Sequence, residues 1–161
     1  MRTADHSFDK VHSELRNGNL AKALRSVYDS KTGSIRKRYS ADRNHAWYLV
    51  GSIKFKRRKY PKAIKCFRNA IRHWPEDWQS LMAIANCYSE MALPRWSIFY
   101  LRRAIELQLK NASLLFNLGN AYADRGDFDA AQKEYLKASK VSDKQLSKLC
   151  KKNLALVRRA C

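Results

Sequence analysis

Apolar and polar residues recur along this chain at the three- and four-residue spacing of amphipathic helices, and the pattern repeats every 34 residues. Three segments, 44–77, 78–111 and 112–142, carry the same class of residue at a set of recurring positions, counted from the first residue of the segment. Large apolar residues share positions four and seven, namely Trp47, Leu81, Leu115, Val50, Ile84 and Leu118. Small residues share positions eight, twenty and twenty-seven, namely Gly51, Ala85, Gly119, Ala63, Ser97, Ala131, Ala70, Ala104 and Ala138. The pattern predicts three pairs of antiparallel helices that approach closely at the small residues.

A weaker copy of the pattern precedes the three segments, in residues 1–30. The sequence Asn17–Ala23 resembles the helix-connecting turn Arg125–Ala131 further along the chain. This similarity predicts one helix near residues 8–16 and a second near 20–30, which together form a degenerate repeat.

Two regions remain outside the repeats. Residues 31–43 are rich in basic side chains and are predicted to be an inserted loop or a helical extension. Residues 143–161 have apolar side chains at helical spacing with lysine and arginine between them, which is typical of a capping helix with one polar face. We expect the whole chain, residues 1–161, to form one domain.

The recurring positions resemble the tetratricopeptide repeat (TPR) family, whose pattern W-x2-L-G-x2-Y, then A-x3-F, then P has the same period. Tyr88 and Tyr122 fit position eleven of this pattern, whereas Lys54 departs from it. The resemblance covers nearly the whole chain. It implies an all-α solenoid of helical hairpins, with three full 34-residue repeats, a degenerate N-terminal repeat and a C-terminal capping helix.

Glycine and proline are placed as this architecture requires. Gly51 and Gly119 lie within predicted helices, where glycine costs about 1 kcal/mol relative to alanine, so their presence indicates tight packing. Gly126 suits a left-handed turn position. Pro61 and Pro94 lie where second helices begin, a position that tolerates a missing N–H group.

Composition argues against catalysis and against a membrane span. The four cysteines and four histidines have no metal-ligand spacing and include no C-x-x-C pair; they are Cys66, Cys87, Cys150, Cys161, His6, His12, His45 and His73. All glycines except Gly33 are explained by packing and turns, so no phosphate-binding glycine loop is available. We therefore expect no catalytic residue, no metal and no cofactor. Without a secretory signal or a long apolar run, the expected compartment is the cytoplasm, or the nucleus in a eukaryote.

The resemblance implies a concave groove lined by the first helix of each repeat. The candidate peptide-binding residues at its inward positions are His45, Tyr48, Ser52, Phe55, Gln79, Met82, Asn86, Phe116 and Asn120. Three of them, at position five, are large and apolar, and three others, at position nine, carry a hydroxyl or an amide that can hydrogen-bond an extended peptide. The alternative interpretation is that both sets only pack against neighbouring helices or cap turns.

Two functions known in this family, binding of chaperone C-termini and action as a secretion-type chaperone, are not favoured here. The carboxylate clamp for chaperone C-termini needs lysine, arginine and asparagine at set positions, where this chain has Tyr48, Ser52, Ala83, Ser113 and Asn117. Secretion-type chaperones are compact proteins of similar length, but their usual acidity is absent, since the net charge is +19.

The positive charge is concentrated in the first half of the chain. Residues 1–75 contain 19 lysines and arginines against 5 acids, while residues 76–161 contain 14 against 9. We call the six basic candidates on the first full repeat the basic ridge: Arg57, Arg58, Lys62, Lys65, Arg68 and Arg72. Like charges three and four residues apart weaken a helix by about 0.2–0.5 kcal/mol per pair, and the fold does not require them. A merely solvated helix face stays the structural alternative.

The sequence therefore predicts a non-catalytic adaptor that binds a protein or peptide partner in the concave groove, with the basic ridge steering or docking acidic partners. The alternative is a nucleic-acid-binding scaffold that uses the ridge on phosphates, for which Tyr39, Tyr60 and Trp74 are the nearby aromatic candidates. The expected oligomeric state is a monomer, or weak self-association through an uncovered end of the repeat stack.

Overall fold

The computed structural model describes residues 8–160, without the side chain of Ala160; His6, Cys161 and the first seven residues of the degenerate repeat lie outside it. The described residues are mostly helical, which confirms the predicted all-α fold. Nine α-helices fall within them: α1 (Asp9–Arg16), α2 (Leu20–Val27), α3 (Arg43–Lys56), α4 (Tyr60–His73), α5 (Trp78–Glu90), α6 (Pro94–Leu107), α7 (Ala112–Asp124), α8 (Phe128–Val141) and α9 (Lys144–Ala160). The chain divides into two compact units, Met1–Pro75 and Glu76–Cys161. That the whole chain is one domain stays a prediction.

Side-chain caps explain where most first helices begin. In each case a carboxylate or amide oxygen accepts a hydrogen bond from a backbone N–H three residues later, which satisfies a donor without a partner inside the helix. On the first helices α3, α5 and α7, the accepting residues are Asp42, Asp77 and Asn111, and the donating N–H groups belong to His45, Ser80 and Leu114. On the second helix α8, Asp127 accepts from the N–H of Ala130 in the same way. The resulting starts of α3, α5 and α7 agree within one residue with the predicted repeat boundaries.

Unit 1 contains two helical pairs around one core. The pair α1 and α2 occupies the predicted degenerate repeat, and α3 packs on α4 as the first full repeat. The buried core residues are Phe8, Val11, Ala23, Val27, Tyr39, Ala46, Leu49, Val50, Ile53 and Cys66.

The segment between these pairs, from the end of α2 through the predicted insert, contains a short β-hairpin that the sequence did not predict. Strands β1 (Tyr28–Asp29) and β2 (Ser34–Ile35) pair antiparallel, and a 3₁₀ helix follows at Lys37–Asp42. The second helix was expected to continue to Ser30, but α2 ends at Val27. Two-residue strands are too short to show an alternating pattern, so only the formed structure reveals them.

Unit 2 contains two helical pairs and a final helix. α5 packs on α6, α7 packs on α8, and α9 packs mainly on α8 with further contacts to α7. Buried Cys150 of α9 joins Leu115 and Ala138 in one apolar cluster. α9 thus covers the end of the last full repeat, as a capping helix does.

The two packing glycines allow the close helix approach that the sequence predicted. A Cβ added at Gly51 would lie 2.6 Å from the Phe67 ring, and one at Gly119 would lie 2.6 Å from the Tyr135 ring. No real Cβ contact is that short, so each glycine makes room for an aromatic ring on the partner helix.

The turn inside each repeat uses a left-handed residue at position fifteen. Gly126 has φ +83° there, as expected for glycine, but Arg58 at +58° and Ala92 at +55° take the same conformation. For a residue with a Cβ, the left-handed backbone conformation costs roughly 1–2 kcal/mol of conformational free energy. The helix packing on either side therefore fixes the turn, whatever residue occupies it.

Across residues 8–160 we find no helix with the length and apolar character needed to cross a bilayer. The same residues contain no cluster of three or more histidine, cysteine, aspartate or glutamate side chains that could hold a metal ion.

Candidate binding surfaces

In unit 1, α3 carries the first four predicted groove residues, and their side chains already have contacts within the unit. His45 packs edge-on against Phe8 with ring centroids 4.7 Å apart, and its Nε2 lies 3.2 Å from Nε2 of His12. Tyr48 packs on Phe67 across to α4, at 5.7 Å between ring centroids.

The other two predicted groove residues of α3, Ser52 and Phe55, also contact neighbouring residues within unit 1. The Ser52 hydroxyl donates to the carbonyl oxygen of Tyr48 at 3.0 Å, one turn earlier in α3. The Phe55 ring lies 5.4 Å from Tyr60. All four predicted groove side chains of unit 1 are half-buried, so the internal contacts leave only part of each exposed.

In unit 2, α5 carries Gln79, Met82 and Asn86 at steps of three and four residues, which places them on one face of the helix. Gln79 is exposed, and Met82 and Asn86 are half-buried. No hydrogen-bond partner for the Asn86 amide occurs among residues 8–160.

On α7, Phe116 and Asn120 have definite structural partners. Phe116 packs on Tyr135 with ring centroids 5.7 Å apart and adjoins the core cluster of unit 2. The Asn120 Oδ1 accepts hydrogen bonds from the Tyr135 hydroxyl at 2.7 Å and from Asn153 Nδ2 at 3.1 Å. Burial raises the pKa of Tyr135, so its hydroxyl stays protonated and donates. Asn120 thus ties α7 to α8 and α9.

The basic ridge divides into two groups in the structure. Arg57, Lys62 and Lys65 line a cleft of unit 1, while Arg58, Arg68 and Arg72 do not belong to its lining. All six are at least partly exposed.

The three aromatic residues proposed to stack beside the ridge differ in access. Tyr39 is only 1% exposed and packs on Phe8 at 4.8 Å, so it is wrong as a stacking candidate, because the 3₁₀ helix places it in the core. Tyr60 is half-buried against Phe55. Trp74 is 47% exposed just after α4.

Sequence reasoning missed an exposed aromatic pair on α6. Trp96 is 53% exposed and Phe99 is 48% exposed, and Tyr88 stacks on Trp96 at 5.9 Å. They occupy positions nineteen and twenty-two, which hold Lys62 and Lys65 in the preceding repeat. The sequence could have revealed this pair, because large apolar residues stand here at repeat positions that are polar in the preceding repeat.

The described cysteines are structural. Cys66, Cys87 and Cys150 are free thiols and all are buried. Burial raises the pKa of Cys87 to about 12 and raises the pKa of the other two. Protonated buried thiols are poor nucleophiles and poor metal ligands.

Comparison with known proteins identifies the repeat type. Tetratricopeptide repeat profiles match residues 48–89 and 112–144. No curated protein sequence matches the chain. A crystal structure of MamA protein is similar at 19% identity and a TM-score of 0.70, over 83% of this chain and 70% of that one.

Two similar structures contain bound peptides. One is the first TPR of Spaghetti (RPAP3) bound to the HSP90 peptide SRMEEVD, at 17% identity and a TM-score of 0.67, over 73% of this chain and 92% of that one. The other is the Yersinia enterocolitica type III secretion chaperone SycD in complex with a peptide of the translocator YopD, at 15% identity and a TM-score of 0.67, over 71% and 91% of the two chains. The profile matches identify tetratricopeptide repeats at residues 48–89 and 112–144, and these structures show that the chain has the fold of tetratricopeptide repeat proteins.

Proposed function

We propose that this protein is a non-catalytic adaptor that binds a peptide segment of a partner protein on the first-helix surfaces of its repeats. The observation that carries the proposal is the face of α5, where the half-buried amide of Asn86 lacks a partner among the described residues and lies one turn from Met82. An amide can donate to and accept from a peptide backbone, and an adjacent apolar side chain can contact a peptide side chain.

Relatives of the same fold support a peptide as the ligand. The Spaghetti TPR is bound to an HSP90 peptide and SycD to a YopD peptide. This chain has no lysine or arginine at the clamp positions, which hold Tyr48, Ser113 and Asn117 among others. We therefore propose that it recognises an internal, partly apolar segment and not a free C-terminal carboxylate.

The two position-nine asparagines take different roles in this proposal. Asn86 is the candidate that hydrogen-bonds the peptide, whereas Asn120 keeps α7, α8 and α9 in register through Tyr135 and Asn153. The other predicted groove residues of unit 2, Gln79, Met82 and Phe116, supply further peptide-contacting surface.

A direct test compares Asn86→Ala with Asn120→Ala. Peptides are selected from a random 12-residue library displayed with blocked C-termini, and their affinity and the urea unfolding of each variant are measured. We expect Asn86→Ala to lower affinity about tenfold with stability within about 0.5 kcal/mol of the wild type. Asn120→Ala should cost about 1–3 kcal/mol of unfolding free energy, because the buried Tyr135 hydroxyl loses its acceptor.

Asn17→Ala is the matched control, since Asn17 is an exposed amide in a turn of unit 1. Equal affinities for Asn86→Ala, Asn17→Ala and the wild type would contradict peptide binding on α5.

We further propose that the basic ridge steers acidic partners toward this protein. Exposed charges act mainly on the association rate and are screened by salt. The nucleic-acid alternative is supported by exposed Trp74 close to Arg72 in sequence, because a stacking ring beside cations suits single-stranded bases. Trp74→Ala would then weaken oligonucleotide binding but leave selected peptides unaffected.

A further inference from the structure

A cleft in unit 1 combines a strong positive charge with an apolar wall. Its volume is about 480 Å³, within the range of small-molecule sites. The lining residues come from α2, the hairpin region, α3 and α4, and they are Leu24, Tyr28, Ser30, Gly33, Trp47, Lys54, Arg57, Lys59, Lys62, Lys65, Cys66 and Asn69. The cleft thus lies between the first full repeat and the end of α2 with the hairpin that follows it.

Five of the lining side chains are cationic and none is acidic: Lys54, Arg57, Lys59, Lys62 and Lys65. Within residues 8–160, none of the five forms an ion pair. Like charges around a partly enclosed space repel one another, and the low-dielectric walls strengthen that repulsion. A bound polyanion would relieve it.

Lys54 is the most informative of the five. It stands at repeat position eleven, where the next two repeats have Tyr88 and Tyr122. Its Nζ lies over the Tyr28 ring, 4.5 Å from the centroid, so the ring of the hairpin strand holds it at the cleft. The departure from the repeat pattern therefore places a cation in the cleft.

The neighbouring thiol does not neutralise this charge. Burial raises the pKa of the Cys66 thiol, although Lys54 acts in the opposite direction. The thiol is consequently protonated at neutral pH. The remaining wall is formed by Tyr28 and Trp47, whose ring centroids are 6.0 Å apart, and polar Ser30 and Asn69 complete it.

We propose that this cleft binds a small organic polyphosphate, such as a nucleoside triphosphate. Five cations match a ligand with several charges, because lysine and arginine bind phosphate oxygens through charge-assisted hydrogen bonds. The apolar wall suits the organic part of the ligand. A long nucleic acid would engage the whole ridge, yet Arg58, Arg68 and Arg72 do not line the cleft. The proposal is independent of peptide binding, since α5 contributes no residue to this site.

Titration calorimetry of the full chain with ATP and with tripolyphosphate, at about 0.15 M salt, tests the proposal. We expect one ligand per chain for both probes, with orthophosphate at least about tenfold weaker. The cleft variant Lys54→Gln/Lys62→Gln/Lys65→Gln should lose at least about tenfold in affinity, since even one lost charged contact is worth roughly a factor of ten.

The matched control is Arg58→Gln/Arg68→Gln/Arg72→Gln, which removes the same charge from ridge residues outside the cleft. Its affinity should stay within about threefold of the wild type, because none of these exposed side chains lines the cleft and salt screens their charges. A second cleft variant, Lys54→Tyr, restores the residue type of the other repeats and is expected to fold and to lose binding.

Several outcomes would overturn the proposal. They are the absence of one-to-one binding for both probes, equal losses in the two triple variants, and unchanged affinity in Lys54→Tyr. Tighter binding of a dT12 oligonucleotide or a hexaglutamate peptide than of ATP, with greater sensitivity to the control variant, would also overturn it. That last result would show that the basic residues of unit 1 bind a macromolecular partner and not a small polyphosphate.

Discussion

The second helices of the first two full repeats, α4 and α6, carry opposite chemistry at equivalent exposed positions. Positions nineteen and twenty-two hold Lys62 and Lys65 in α4, and Trp96 and Phe99 in α6. All four side chains are exposed. Core packing imposes no residue type at these positions, so a repeat can use them for charge or for aromatic surface without changing its fold.

The buried positions behave differently, because they change in pairs. Position eight is glycine where position twenty-four is aromatic, as in Gly51 with Phe67. In the second repeat both are aliphatic, Ala85 with Leu101, and both are buried. A larger residue at one position is thus matched by a smaller one at the other, as dense packing requires.

The largest effect is expected from breaking one buried pair. Gly51→Ala places a Cβ 2.6 Å from the Phe67 ring. Overpacking costs about 1–3 kcal/mol, and the better helix propensity of alanine returns at most about 1 kcal/mol. We expect a net loss of unfolding free energy, measured by urea denaturation.

Adding Phe67→Leu to Gly51→Ala copies the pair Ala85 and Leu101 and should recover part of that loss. The double-mutant cycle then gives a favourable coupling energy of about 0.5–3 kcal/mol. Ser52→Ala on the same helix serves as the control and should be nearly neutral. Strict additivity of the two substitutions would show that positions eight and twenty-four are not matched.

A smaller effect is expected from exchanging the exposed pairs. Lys62→Trp/Lys65→Phe should leave the free energy of unfolding within about 0.5 kcal/mol, because surface changes are usually that small. Trp96→Lys/Phe99→Lys should cost about 0.5–1.5 kcal/mol, because Trp96 loses its stacking on Tyr88. Urea denaturation of both variants is the measurement, and a loss larger than 2 kcal/mol in the α4 variant would disprove the independence of this surface.

A similarly small effect is expected at the turn that both repeats share. Ala92 has φ +55°, so Ala92→Gly removes a left-handed strain of about 1–2 kcal/mol, while the flexible unfolded chain offsets about 0.4–1 kcal/mol. We expect a stabilisation of about 0.5–1 kcal/mol in thermal or urea unfolding. Gly126→Ala is the reciprocal change and should destabilise; a lower stability for Ala92→Gly would contradict the strain.

Sequence reasoning located the helices and the packing glycines because these depend on local periodicity. The bounds of α3, α5 and α7 and the role of Gly119 follow from residues within one 34-residue period. It did not place Tyr39 in the core, because that contact joins the insert to Phe8 across 31 residues. It did not predict that Asn120 accepts a hydrogen bond from Asn153, which lies 33 residues later in the sequence.

By itself, the sequence determined the repeat type, the helix order and the excess of positive charge. All three are encoded by the spacing of residues along the chain or by composition. None of them depends on a contact between residues far apart in the sequence. Only the tertiary structure decided which cations share a cleft and which predicted groove amide, Asn120, is hydrogen-bonded within the protein. Tyr28 reaches Lys54 because the hairpin packs beside α3, and such long-range proximity leaves no periodic signal in the sequence.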